Sequence, residues 1–300
     1  MIKRFINRMI QHDSRTRQVS LLVLLAGMQL AATGCERVVG IDVDTGPERL
    51  VVEGRLEAVN GAPSGRQSIR LTTTAPYFSN APAPGARGAV VQVRDDQGRA
   101  VRFAESSTPG TYVTDSLVAA VGRTYTLRIE WRGDVYESTD RLDAVANIDS
   151  LYFIARPRRN PATDGVRATI DLRDPPVVAN YYLWDQVVDG VRLVTPDTLF
   201  RFRIVSNDEF YQGRRVRQFQ PFDGVPVRSG QEVLVRQYSI SEAGWRYYDA
   251  LNQQTSGDGS PFSVPPSSVR GNVANVTRPD VRALGYFSAS AVAERRARVP

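Results

Sequence analysis

The sequence is nearly empty of the side chains on which much enzyme chemistry depends. Its 300 residues hold one histidine (His12), one cysteine (Cys35), one lysine (Lys3) and three methionines (Met1, Met9, Met28), and all but Cys35 fall within the first 34 residues. Beyond that point a Ser-His-Asp or Cys-His triad cannot be assembled, nor a histidine-rich zinc or iron site, nor a lysine Schiff base. A single cysteine also rules out an intrachain disulfide, so an exported fold built from this chain must rest on its core and its strand pairing. What survives is carboxylate chemistry, as in glycosidases that use two Asp or Glu side chains, or hard metals held by oxygen ligands. Long apolar runs are scarce as well. Val19 to Ala32 spans about 14 residues, short of the roughly 20 that cross a hydrocarbon core.

That short run nevertheless organises the N-terminus. Basic residues precede it (Lys3, Arg4, Arg8, Arg15, Arg17), and the small residues Thr33 and Gly34 stand directly before Cys35. This is the layout of an export signal, and its end resembles the lipobox of bacterial lipoproteins, with Ala32 where Leu is usual. Residues 1–34 are therefore read as a lipoprotein signal peptide and Cys35 as the residue that carries the lipid. The other reading is an ordinary secretory signal beside an incidental thiol. On the first, three acyl chains hold the protein on a membrane, and the expected place is the outer membrane, on its periplasmic or its surface face. The leader carries five basic residues against one acid, Asp13, so of the net charge of +6 only about +2 belongs to the rest of the chain. The basic balance thus gives no argument for a nucleic-acid partner.

After a polar tether at 35–48 the pattern is β throughout. Strands are expected at Arg49 to Ala58, Ser68 to Thr74, Ala89 to Val93, Ala100 to Ala104, Gly110 to Thr114, Thr124 to Glu130 and Val135 to Ser138. Tyr125, Leu127 and Ile129 alternate with Thr126, Arg128 and Glu130 as a half-buried strand does. Asp95, Asp96 and Gly98 make a hairpin turn, a reading that needs no metal on the paired acids. Arg132-Gly133-Asp134, a tripeptide known from integrin recognition, reads as a second Gly-Asp turn. Short strands with frequent turn signals predict an immunoglobulin-like or prealbumin-like β-sandwich over 49–145. A β-rich second domain is expected over 146–300, with strands at Asn147 to Phe153, Val166 to Leu172, Asn180 to Val188, Thr198 to Val205, Arg215 to Phe219, Glu232 to Ser239 and Ala283 to Ala291. One helix is predicted near 241–254, where Ser239 and Glu242 have capping-box spacing and a Gly257-Asp258-Gly259 stop follows.

Candidate functional residues are few. Tyr181, Tyr182, Trp184, Tyr211 and Trp245, with Tyr247 and Tyr248 beside them, form the aromatic set from which a ligand platform could be built, although aromatics in β proteins mostly fill cores. Asp171 with Asp174, and Asp185 with Asp189, are the nearest carboxylate pairs for a hydrolase, and both adjoin Pro or Gly turns. The arginine clusters Arg156, Arg158, Arg159 and Arg214, Arg215, Arg217 could meet acidic glycans or headgroups, but read first as solvated faces. No cofactor or metal is expected.

A set of blocks recurs in an order that points to a family: Leu50-Val51-Val52-Glu53-Gly54, Gly122-Arg123-Thr124-Tyr125-Thr126-Leu127 with Tyr136-Glu137-Ser138, Ile148-Asp149-Ser150-Leu151, Pro265-Pro266 with Gly271-Asn272-Val273, and Leu284-Gly285-Tyr286-Phe287-Ser288-Ala289-Ser290. In this they resemble a Bacteroidota outer-membrane lipoprotein family catalogued as domain of unknown function 4249. The resemblance covers nearly all the chain after the leader. It implies a binding or accessory role at the cell envelope, because members are commonly encoded beside TonB-dependent receptors. It implies such a receptor as a partner and supplies no catalytic residues; a small ligand or glycan is expected as a further partner. A structural or adhesive envelope protein and a carboxylate-dependent hydrolase are the alternatives.

Overall fold

The structure, a computed structural model, describes residues 46–60, 65–76, 79, 81–155, 165–176, 178–192, 204–222, 224–255 and 269–300. Cys35, the leader, most of the tether, Arg156 to Arg159, the Gly257-Asp258-Gly259 stop and Pro265-Pro266 lie outside these residues. Among those described, sixteen strands and one helix follow in order. The first half contributes β1 (Leu50–Val59), β2 (Gln67–Thr73), β3 (Val90–Asp95), β4 (Ala100–Glu105), β5 (Thr111–Thr114), β6 (Thr124–Trp131) and β7 (Asp134–Arg141). The second contributes β8 (Ile148–Ala155), β9 (Val166–Arg173), β10 (Tyr181–Val188), β11 (Val191–Arg192), β12 (Ile204–Asn207), β13 (Arg215–Phe219), β14 (Glu232–Ile240), α1 (Glu242–Thr255), β15 (Ala274–Asn275) and β16 (Leu284–Arg298). The protein is mainly β, as its alternation predicts.

Thirteen strands join in the order β11-β10-β14-β16-β1-β2-β5-β4-β3-β6-β7-β15, with β12 also on β10, and β13-β9-β8 form a smaller sheet. The large sheet folds over where β4 pairs with both β3 and β5. Inward residues of β1 and β2 (Leu50, Val52, Leu56, Ile69, Leu71) then share one core with those of β3, β6 and β7 (Val91, Val93, Tyr125, Leu127, Ile129, Tyr136), which is the sandwich. Ile170, Leu172, Tyr182, Trp184 and Phe222 from the second half belong to the same core. The boundary expected near 145 therefore does not separate two cores, and residues 46–300 make one compact unit. The physical reason is β16, the last strand, which lies parallel to β1 with Glu53 opposite Tyr286 and Arg55 opposite Ser288. Local patterning carries no sign of a partner so far along the chain.

β16 is buried on both faces from Tyr286 to Ala293, and small Ser and Ala residues allow layers to approach it from either side. Its edge away from β1 is paired with β14 from Val292 to Arg298, and before that, at Phe287, Ala289 and Ala291, side chains close it. Asn272 accepts from the Phe287 N–H (2.9 Å) and donates to its carbonyl (2.7 Å). Asp140 accepts from Ala289 (2.9 Å), and the Ser239 hydroxyl accepts from Ala291 (2.9 Å). Gly285 has φ +86°, and a β-carbon there would run into the Val52 carbonyl, as one at Gly271 would into that of Gly285. The blocks 50–54, 271–273 and 284–290 are thus three sides of a single seam.

Both expected turns form. Asp95 Oδ1 accepts from the Gln97 and Arg99 N–H groups, Gly98 sits at φ +84°, and Arg123 pairs with Asp95 and Asp96. Arg132 and Gly133 turn β6 into β7 at positive φ. Asp134 is only 5% exposed and accepts from Arg278 Nε (2.8 Å), while Arg132 lies over the Trp131 ring and pairs with Glu48. The tripeptide is thereby built into the fold. The helix forms where predicted, but its cap is Ser241, whose hydroxyl accepts from Gly244 N–H (3.2 Å). Ser239 remains in β14, where its hydroxyl donates to the Asp143 carbonyl.

Candidate functional site

The outward face of β1 carries Glu53, Arg55 and Glu57 in alternation, because the even-numbered residues point into the core. Strand register sets Arg70 of β2 and Tyr286 of β16 on either side of Glu53, and Ser68 and Ser288 on either side of Arg55. Small residues flanking a long cationic one make a trough. Helix α1 packs on the same face over β10, β14 and β16, through Tyr248 against Leu183, Tyr238, Ile240 and Val292. The strip it leaves uncovered is a groove of about 1040 Å³, lined by Arg55, Arg66, Arg70, Arg192, Glu53, Glu57, Tyr247, Tyr248 and Tyr286 among others.

The lining residues Arg55, Glu57 and Arg192 are backed by further charged and phenolic side chains. Tyr238 is buried beside two guanidinium groups, with Arg55 4.3 Å and Arg236 5.1 Å from its ring centre. Arg236 uses every nitrogen within the fold, donating to Glu294, Tyr238 and Glu57 at 2.7 Å each. Arg55 differs: among the described residues its one hydrogen bond runs from Nη2 to the Tyr248 hydroxyl at 3.3 Å, and its Nε has no partner. Burial works against the Arg55 charge, but Tyr248, Tyr238, Asp185 and Glu57 around it raise its pKa further above the usual range. Asp185 is 1% exposed, takes Arg192 on one oxygen and leaves the other unpartnered among the described residues. Tyr286 stacks on Tyr247 with centres 4.8 Å apart, and burial pushes its phenol up to about 12.

The aromatics singled out from sequence are not gathered into one platform. Tyr182 and Trp184 are completely buried, with the Tyr182 hydroxyl donating to Asp174 (2.6 Å) and the indole N–H to Gln237 (3.3 Å). Their strand is covered on both faces, so neither ring can meet a ligand, which corrects their assignment as ligand contacts. Half-buried Tyr181 packs against Trp245 at 5.8 Å beside the helix, and Tyr211 shares a hydrogen bond with Ser206 (2.8 Å). Of the helical aromatics, Tyr247 and Tyr248 do reach the groove.

The carboxylate pairs are each taken up separately. Asp171 accepts from the Tyr152 hydroxyl and Gln218 N–H. Asp174 is fully buried, which pushes its carboxyl up as a general acid requires, yet its oxygens are occupied by the Tyr182 hydroxyl and Gly213 N–H. Asp189 caps the turn before β14 through Glu232 N–H and Gln231. Arg214, Arg215 and Arg217 are exposed, with Arg215 3.8 Å from Asp149. The arginines that do converge, Arg55, Arg66, Arg70 and Arg192, were missed by sequence reasoning. Their one local signal is charge at successive outward positions of β1 together with Ser68, Arg70 and Thr72 on β2.

No curated protein matches the chain. The family model described as Domain of unknown function (DUF4249) matches residues 36–296, a span that takes in the β1–β16 seam and the strands that build the groove, and the chain belongs to that family.

Proposed function

We propose that this protein is a cell-envelope lipoprotein, anchored to the outer membrane through Cys35, that serves as a binding or accessory component of a TonB-dependent uptake system. The observation that carries the reading is the groove: about 1040 Å³ of concave surface on a sheet face, lined by cationic and phenolic side chains. Such a surface suits recognition of a ligand, because concavity with a few well-placed polar groups is how small-molecule sites are built. The lipobox-like segment ending at Cys35 supports the anchor. Of the carboxylates that a hydrolase would need, Asp171, Asp174 and Asp189 are held by neighbouring donors and Asp185 is buried against Arg192, which favours binding over hydrolysis.

The test is affinity purification of the membrane-extracted protein from its native cells, beside a Cys35→Ala control, with identification of what co-elutes. A TonB-dependent receptor recovered with the lipidated protein and lost in the control is the expected result. Recovery of nothing from a fully lipidated sample overturns the accessory role.

A further inference from the structure

We propose that the groove takes an acidic oligosaccharide, its uronate carboxylates paired with Arg55, Arg66 and Arg70 and its rings lying along the wall that Tyr247 forms. This rests on the binding role above and names the ligand class of the same site.

The charges decide the sign of the ligand. Of the acids lining the groove, Glu57 is committed to Arg236 at 2.7 Å. Glu53 is left facing Arg70 at 4.0 Å with both side chains more than half exposed, a contact worth little in water. Arg66 makes no ion pair or hydrogen bond among the described residues. Arg55 makes a single long one. Three guanidinium groups thus stand in one trough against one loosely held carboxylate. Arg55 is also preset: its guanidinium lies over the Tyr238 ring at 4.3 Å, which limits how the fork can turn, and a planar fork matches a carboxylate through two parallel hydrogen bonds.

The shape and position of the groove decide the class. Its volume lies at the top of the range of about 300–1,000 Å³ typical of drug-sized sites, so it has room for several linked rings. It runs across β1, whose backbone is paired on both sides, to β2 and to β16. An extended peptide would therefore find no sheet edge to join. Recognition must come from side chains, and beside the arginines these include the hydroxyls of Ser68, Thr72 and Tyr247, which suit sugar hydroxyl groups.

The experiment is titration calorimetry on the full lipidated chain in detergent. The probes are tetragalacturonate, its methyl ester, a tetramannuronate, a glucuronate tetrasaccharide and tetraglutamate. At least one acidic tetrasaccharide should bind, at least ~10-fold more tightly than the ester or the peptide, and more weakly as salt rises. Arg66→Gln with Arg70→Gln, both on exposed positions, should lower that affinity at least ~10-fold with Tm unchanged. Arg55→Lys should do the same, because it keeps the charge and loses the fork. Equal binding of the ester or of tetraglutamate, indifference to these variants, or binding of none of the acidic sugars overturns the inference. Recovery of the receptor without sugar binding leaves the accessory role standing and removes only the ligand class. Sugar binding without the receptor does the reverse.

Discussion

Asp140 is the group whose titration the fold has shifted most usefully for a test. It projects from β7 to accept the Ala289 N–H on the closed edge of β16. Burial there pushes its carboxyl up to about 6, although hydrogen bonds from Ala289 and Ser241 pull the other way. The unfolded chain holds an aspartate near ~3.9. The native state therefore keeps its proton to a higher pH than the unfolded state does. The resulting penalty is complete above pH 6 and vanishes as pH falls toward 4. About two pKa units correspond to about 3 kcal/mol. Asp140→Asn keeps an acceptor for Ala289, presents its amide donors to Ser241 and carries no charge. Urea unfolding followed by fluorescence of the buried Trp131 and Trp184 should find the variant more stable than the natural chain by up to about 3 kcal/mol at pH 8, with the advantage shrinking steadily to pH 4.5. Taking the difference between the two proteins cancels the carboxyls that titrate the other way: Arg278 at Asp134, and Gln218 N–H at Asp171, hold those below the usual range. A difference that is the same at both pH values would refute the assignment of a buried, proton-retaining carboxyl to Asp140.

Three further predictions concern the frame on which the groove is laid. Gly285→Ala should cost more than about 3 kcal/mol, from a left-handed β-carbon pressed on the Val52 carbonyl, and show as a large fall in the urea midpoint. Asn272→Leu leaves the Phe287 N–H and carbonyl without their side-chain partner and should cost about 2–5 kcal/mol by the same measurement. Asn272→Asp, which keeps the acceptor and loses the donor, should fall between that variant and the natural chain. Ser241→Ala removes the cap of α1 and should lower stability by about 1 kcal/mol, read as a fall in Tm.

Strand identity was legible wherever side-chain alternation was clean. In β6 the apolar set Tyr125, Leu127 and Ile129 is the buried set, and both Gly-containing turns form at the residues that satisfy them. The aromatics of β10 misled because the strand is buried on both faces, so Tyr182 and Trp184 follow core logic where a half-exposed strand would have shown one ring to solvent. β16 runs to Arg298, past the Ala291 that its apolar pattern predicts, because the charged run Glu294 to Arg298 continues the strand. In the sheet that run lies beside the start of β14, with Arg236 on Glu294 and Arg296 on Glu232. Cross-strand complementarity of this kind is invisible until the partner is known. Strands β11 and β15 have two residues each, too few for any period to register.

The groove itself could not be read from any one stretch because no stretch contains it. Its cations come from β1, from β2 and the residue just before it, and from β11, and its phenols from α1 and β16. Arg55 and Tyr286 become neighbours only when the last strand lies parallel against the first. Tyr238, the ring beside Arg55, stands on β14, and in the sheet β16 lies between β14 and β1. The groove is therefore a product of the seam that Gly271, Asn272 and Gly285 close, and binding is coupled to that closure. A seam variant that still folds, such as Asn272→Asp, should weaken ligand binding although Asn272 is absent from the groove lining. A substitution of equal stability cost on the far side of the core, at the Asp95 to Arg99 turn, should leave binding intact.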